Sequence, residues 1–384
     1  MTPRVLFLTH TGALGGAELS LLDIARARPD SSTVMLLADG PFRERLASAG
    51  LHAKLLPAGA GLLAVRREAS LASLGAAGPA LRMVRELAQA AKPYDLLYAN
   101  SEKAFVMAAL AGAIARRPVI WHLRDVLCAE HFSAFNIRVV VLLANALAAR
   151  VIANSHATAD AFVRAGGKAQ KVCVVYNGFE PGPFDAVADS AICGVREALG
   201  VGAAPLVGVF GRLHPWKGQH VAVDALSRLP GVHAIIVGDA LFGEEAYVHA
   251  LQEQVRARAL ENRVHLLGFR TDIPTLMRAV DMVLHTSVAP EPFGRILVEG
   301  MLARRPVVAA RAGGTPEVVV DGETGLLVTP GDDAAIAEAI AALLAEPGRR
   351  TQMGHAGRER ARQLFHVDTM RAGVQQQIEE VTRQ

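Results

Sequence analysis

Short apolar, β-rich runs alternate with amphipathic stretches almost from end to end of this chain, a pattern that few folds accommodate. Parallel strands need a crossover connection, usually a helix, so the alternation reads as consecutive βαβ units. Strands are predicted at Val5–Leu8, Thr33–Leu37, Leu96–Tyr98, Val119–His122, Val151–Ala153 and Val172–Tyr176. A second set is predicted at Val207–Phe210, Ala234–Val237, Val264–Leu267, Met282–Leu284, Val307–Ala310 and Gly325–Val328. Six in each half imply two similar, doubly wound α/β domains of Rossmann-like architecture. At 384 residues the chain also exceeds what one hydrophobic core usually supports.

The segment Asn177-Gly178-Phe179-Glu180-Pro181-Gly182-Pro183 has turn chemistry and no periodicity, which makes it the best linker candidate. The expected domains are therefore 1–182 and 183–364, with a further helix over 365–384. Hydrophobic content of 51% with 35 glycines fits layered α/β structure rather than disorder. The formal charge of +3 is too small to suggest nucleic acid. Arginine outnumbers lysine 34 to 6, so the position of each lysine is informative.

Arg66-Arg67, Arg82, Arg85 and Arg116-Arg117 all fall in the first half. Such arginines ordinarily lie on solvated helix faces, but a basic face could also touch anionic lipid. Cys128, Cys173 and Cys193 show no Cys-x-x-Cys or metal spacing, so free thiols in a reducing compartment are expected. The opening run Val5–Leu8 is strand-length and leads into a glycine loop, unlike a signal peptide. The longest apolar stretches, 104–115 and 139–149, are shorter than the roughly 20 residues a bilayer span needs. The expectation is a cytoplasmic protein without a membrane span, with peripheral contact on the inner membrane as a hypothesis.

Chemistry concentrates around two carboxylates eight residues apart, Glu291 and Glu299. Glu291 follows an apolar strand in a Pro-Glu-Pro-Phe-Gly turn, and Glu299 falls in the early turns of the next helix. In open α/β sheets, ligands bind at that carboxyl edge of the strands. A helix N-terminus there, opened by Gly294, suits a phosphate, and the carboxylates suit sugar hydroxyls. A second loop, Gly211-Arg212-Leu213-His214-Pro215-Trp216-Lys217-Gly218, leaves the first strand of the second half. Two cations bounded by glycines at a strand-to-helix turn favour an anion between them, and a diphosphate is the natural candidate.

The first-half loops are less specific. Gly15-Gly16 would let main-chain N–H groups approach a phosphate or sugar, or would simply make a tight turn. The loop lacks a Gly-x-Gly-x-x-Gly fingerprint, which counts against a nicotinamide dehydrogenase. Trp121-His122-Leu123-Arg124-Asp125 ends an apolar strand. A histidine at a strand end is ordinarily just a satisfied polar residue, but the ligand edge and the Arg and Asp beside it favour a functional role for His122. Asn100-Ser101 and Asn154-Ser155 lie just beyond strand ends, where the serines read best as helix caps.

Taken in this order, the motifs resemble glycosyltransferase family 4, retaining enzymes of the GT-B fold. The resemblance spans nearly the whole chain. Glu291 to Glu299 resembles the family's E-x7-E element, and Gly211 to Gly218 its Gly-Arg-x-x-x-x-Lys-Gly loop. Gly15-Gly16-Ala17-Glu18 is similar to the N-terminal glycine loop, and Asn177-Gly178 to a Pro-Asn-Gly element with Tyr176 in place of proline. The resemblance implies a nucleotide-sugar donor in the C-terminal domain, an acceptor in the N-terminal domain, a cleft between them, and a last helix crossing back.

It also implies roles. Arg212 and Lys217 would hold the diphosphate, joined by Gly16 and Gly294, while Arg295, outside the family's pattern, could add a third cation there or contact the donor sugar. Glu291 and Phe293 would hold the transferred sugar, Glu299 the ribose, and Phe269-Arg270 would face the base. His122 would lie near the sugar hydroxyls, and Gly15, Glu18, Asn100, Arg124 and Asp125 on the acceptor side. Arg295 departs from the family, which commonly has an apolar residue there.

The expected reaction moves a hexose from a UDP- or GDP-linked donor to a lipid-linked or polysaccharide acceptor of the cell envelope. The cations would stabilise the leaving diphosphate, and the chain contains no Asp-x-Asp, so no metal and no other cofactor is expected. Two other readings share the architecture: a nucleotide-sugar epimerase or phosphorylase, and a non-catalytic nucleotide-sugar-binding partner.

Overall fold

The computed structural model describes residues 2–56, 77–240 and 244–383, so Arg66-Arg67 lie outside the described residues. The chain divides into two compact units, Met1–Gly178 with Val367–Gln384 and Phe179–His366. Among the described residues, no helix is long and apolar enough to cross a membrane. The three cysteines are free thiols.

The first unit holds a seven-stranded sheet: β1 (Val5–Thr9), β2 (Ser32–Leu36), β3 (His52–Leu55), β4 (Leu96–Ala99), β5 (Val119–Leu123), β6 (Arg150–Ala153) and β7 (Val172–Val174). Their order is β3-β2-β1-β4-β5-β6-β7, and every neighbouring pair is parallel. Strands β1, β2, β4 and β5 are buried along their whole length, as a sheet covered on both faces requires. β3 was not among the predicted strands. Its sequence, HAKL, is short and half-polar because it forms an edge whose residues alternate toward solvent.

The second unit's six strands are β8 (Leu206–Phe210), β9 (His233–Val237), β10 (Val264–Gly268), β11 (Met282–His285), β12 (Val307–Ala310) and β13 (Gly325–Val328). They run β10-β9-β8-β11-β12-β13, again all parallel. These are the predicted six. Two doubly wound parallel sheets are what the strand pattern foretold, and they agree with the GT-B fold that the family resemblance implied.

The last helix, Val367–Thr382, belongs to the first unit. Val367, Met370, Val374, Ile378 and Val381 recur at helical spacing, and all enter one of that unit's cores beside Leu21 and Tyr98. Each such side chain contributes roughly 1.5–3 kcal/mol on burial.

Strand order decides where the functional loops meet. In each sheet the order reverses beside the first strand, between β1 and β4 and between β8 and β11. The loops leaving those strands diverge to opposite faces and open a crevice. Gly15–Glu18 and Asn100 leave β1 and β4, while Arg212–Lys217 and Glu291 leave β8 and β11.

Candidate functional site

In the second unit, the loop after β8 becomes a short 3-10 turn, Pro215–Lys217, before the helix Gln219–Ser227. Gly218 between them has φ 69°, and a Cβ there would lie 2.0 Å from the Thr286 carbonyl. Only glycine lets the two switch-point loops pack this closely. They are then stitched together: Val288 N donates to Trp216 O (2.9 Å), and Thr286 Oγ1 to Lys217 O (3.1 Å).

That packing brings Lys217 to Glu291. Lys217 Nζ donates to Glu291 Oε2 at 2.6 Å while lying 4.1 Å from the centre of the Trp216 ring. The same oxygen also meets His285 Nε2 (3.3 Å) and Ser287 Oγ (3.2 Å). Burial, the largest influence, pushes the Glu291 carboxyl up, but Lys217 and His285 more than offset it. The group is held well below the ordinary carboxylate range. Glu291 is thus a permanent anion whose Oε2 is saturated and whose Oε1 takes no hydrogen bond among the described residues.

The double glycine fixes the Glu291 backbone. Gly314 N donates to Glu291 O (2.7 Å), and Gly313 has φ 61°, where a Cβ would lie 2.1 Å from that carbonyl. Gly313-Gly314 therefore set the height of Glu291 in the crevice.

Gly294, at φ 86°, opens the helix Arg295–Leu302. Arg295 Nη2 reaches Glu299 Oε1 (3.4 Å) one turn on, and its guanidinium lies 4.4 Å from the centre of the Phe179 ring. Phe179 stacks on Phe293 (6.3 Å, 14°), and Phe293 meets Phe365 edge-on (5.5 Å, 84°). A cation on an aromatic face is the arrangement a planar guanidinium favours. Arg295 Nη1 is buried without a partner among the described residues. Glu291 and Glu299 therefore have separate cations, Lys217 and Arg295.

The remaining second-unit candidates sit at the same strand edge. Arg212 is half-buried two residues past β8, its carbonyl accepting from Gln219 Nε2 (2.9 Å). Phe269 is exposed just after β10, and Arg270 is already forked onto Asp272 (2.8 and 2.6 Å).

The first-unit candidates form a buried polar cluster at the β1/β4 edge. Gly15 is the N-cap of the helix Gly16–Arg26, and Glu18 in its first turn accepts from Thr9 Oγ1 (3.1 Å). Burial raises the Glu18 carboxyl above its usual value, opposed by hydrogen bonding and by Arg124. Arg124 Nε donates to Asn100 Oδ1 (2.7 Å), and Nη1 donates to Ser20 Oγ (3.0 Å) and Asn177 Oδ1 (2.9 Å). Asn100 Nδ2 in turn holds Ala17 O (3.0 Å). Asp125 is half-buried beside this group.

His122 Nδ1 lies 2.5 Å from Tyr98 Oη and 3.2 Å from Arg124 Nη2. A guanidinium can only donate, so Nδ1 is the acceptor and the imidazole proton sits on Nε2. Burial, then Arg124, holds His122 far below its usual pKa, so the ring stays neutral. Its Nε2–H is fully buried with no partner among the described residues. In this tautomer His122 is a hydrogen-bond donor and has no lone pair at Nε2 for base chemistry.

Ser101 and Ser155 are helix caps, accepting from Ala104 N (3.3 Å) and Thr158 N (3.0 Å). Tyr98, Ser20, His285 and Ser287 take part in both clusters without having been singled out from the sequence. For Tyr98, His285 and Ser287 the signal was a polar side chain at or just past the carboxyl end of an apolar strand, as in Leu96–Ala99 and Met282–His285, whereas Ser20 lies within the helix Gly16–Arg26. Among the described residues, no group of three or more His, Cys, Asp or Glu side chains could hold a metal ion.

Two family models match the chain: glycosyl transferases group 1 over residues 196–360, and a glycosyl transferase 4-like domain over residues 15–178. Among solved structures it is similar to Anabaena Alr3699/HepE in complex with UDP-glucose. Identity is 44% and the TM-score 0.91, over 98% of this chain and 100% of that one. Over 157 residues it is 34% identical to the lipopolysaccharide core biosynthesis glycosyltransferase LpsE of Rhizobium meliloti (strain 1021), covering 41% of this chain and 44% of the relative. Over 224 residues it is 32% identical to a D-inositol 3-phosphate glycosyltransferase of Xylanimonas cellulosilytica, covering 56% of this chain and 53% of the relative. The chain spans about half the length of these curated relatives.

Proposed function

Since the chain belongs to glycosyltransferase family 4, we propose that it transfers glucose from UDP-glucose, with retention, to a lipid-linked or polysaccharide acceptor of the cell envelope. The observation that carries this reading is the meeting of Lys217 and Glu291 at the β8/β11 switch point. A diphosphate needs a cation and a sugar needs an acceptor of hydroxyl protons, and both stand side by side there. UDP-glucose is favoured as donor by the likeness to HepE over nearly the whole chain. An envelope acceptor is favoured by the likeness to LpsE.

Breaking the anomeric C–O bond leaves positive charge on the sugar and negative charge on the departing UDP. Lys217 and Arg212 stabilise the leaving diphosphate, aided by the N-terminus of Arg295–Leu302. Glu291 accepts from the sugar hydroxyls through Oε1, and Glu299 from the ribose. The attack comes from the face the phosphate leaves, so retention needs no carboxylate nucleophile. These cations take the part a divalent metal plays elsewhere, and activity should survive EDTA. In the first unit, His122 donates through Nε2–H to a hydroxylated ligand, and Glu18 and Asn100 line the acceptor side. The protein works at the cytoplasmic face of the inner membrane.

Thermal stabilisation across a nucleotide-sugar panel tests the donor. UDP-glucose should raise the melting temperature most. Stabilisation by GDP-linked sugars alone would replace the donor, and none by any member would remove the reading.

A further inference from the structure

The helices Ala77–Ala91, Glu102–Ala115 and Ala134–Leu147 lie side by side on the first unit, the middle one packed against both others. Their inner residues enter that unit's core, yet their outer faces are not uniformly polar. On Ala134–Leu147, Phe135 is 52% exposed and Leu142 68% exposed, two turns apart on one face. On the neighbouring helix, Leu110 is 39% and Ile114 55% exposed, one turn apart. Single exposed apolar residues are ordinary, but four projecting from adjacent helices mark an interaction surface.

Exposed cations lie on or at the ends of the same helices. Arg82, Arg85, Arg116 and Arg138 are all exposed, and Arg138 lies on the Ala134–Leu147 helix between Phe135 and Leu142. Exposed Glu86 on the first of these helices is already paired with Arg82 (3.1 Å). Arginines interleaved with projecting aromatic and aliphatic side chains match a layer with anionic phosphates outside and acyl chains beneath. A second copy fits poorly, because a two-fold interface would set these arginines against their own equivalents.

We propose that this face of the first unit docks on an anionic bilayer. Phe135, Leu142, Leu110 and Ile114 enter the interfacial layer, and the arginines meet the phosphates. The inference rests on the proposed membrane-side acceptor for its purpose, while its test needs no donor.

Co-sedimentation of the full chain with phosphatidylcholine vesicles, with and without phosphatidylglycerol, tests it. Binding should require phosphatidylglycerol and weaken as salt rises. The double variant Phe135→Ser, Leu142→Glu should lower partitioning by about tenfold or more. Arg85→Ala with Arg138→Ala should lower it about twenty-fivefold, near fivefold per charge. The arginine pair keeps the test valid if the apolar variant fails to fold. Both should keep the wild-type stabilisation by UDP-glucose. No binding of wild type to anionic vesicles, or wild-type binding by both variants, overturns the proposal. A concentration-dependent dimer lost in the Leu142 variant would give the face to a second copy and overturn it too. Vesicle binding without any response to nucleotide sugars would remove the donor reading alone.

Discussion

Lys217 and Glu291, 74 residues apart in sequence, share a 2.6 Å ion pair at the crevice of the second unit. The two proposed roles, phosphate holder and sugar holder, would therefore be electrostatically coupled. Any diphosphate that reaches Lys217 does so against a permanent negative charge beside it. Glu291→Gln should consequently act in two directions. Glucose transfer should fall by about a hundredfold or more, while UDP should bind roughly tenfold tighter. Calorimetry on the two proteins reads the second effect, and weaker UDP binding by the variant would dissolve the coupling.

The strand-end placement of these loops was legible in the sequence because parallel strands buried on both faces are written as apolar runs. The Glu291–Lys217 contact was not, because it depends on how closely two loops pack. That packing rests on Gly218 and Gly313, whose backbone conformations a sequence does not display. β3 was illegible for the opposite reason: an edge strand such as HAKL lacks the apolar run itself. Arg295 read as an anomaly until its ring partner Phe179, from the linker segment, lay against it. Long-range aromatic pairing leaves no local trace.

Removing the cation should be costlier than removing the anion. Lys217→Ala leaves Glu291 charged and largely buried, with only His285 and Ser287 to satisfy it. Stability should fall by about 2 kcal/mol, less than for a fully buried pair because both side chains retain some exposure. UDP affinity should drop as well. The double variant Lys217→Ala, Glu291→Gln should recover most of the stability and, by relieving the repulsion of the diphosphate, part of the affinity. A double-mutant cycle in urea measures this, and additive losses would show the pair to be uncoupled.

His122 gives the opposite signature to a catalytic base. Its folded-state pKa lies below the unfolded value of about 6.5. The unfolded chain therefore binds the extra proton first, and stability is lost as pH falls below that value. Transfer rates should show no inflection near pH 6.5 attributable to this ring. Tyr98→Phe, which removes one of the two donors at Nδ1, should lower kcat/KM by about fivefold. A rate inflection near that pH that disappears in His122→Asn would refute the fixed Nε2–H tautomer.

Glu18 titrates with the reverse sign. Burial raises its carboxyl in the folded state, so the native protein binds a proton more readily than the unfolded chain. Its contribution is most favourable in acid and is lost as pH rises through the folded-state value. Once ionised, the side chain is a liability that Thr9 and Arg124 only partly relieve. Glu18→Gln keeps the acceptor for Thr9 Oγ1 and removes the buried charge. The variant should melt about 2 °C higher than wild type at pH 7, with the difference closing toward pH 4. Melting curves across that range decide the matter. A variant less stable at pH 7 would mean that the carboxylate is worth more to the Arg124 cluster than its burial costs.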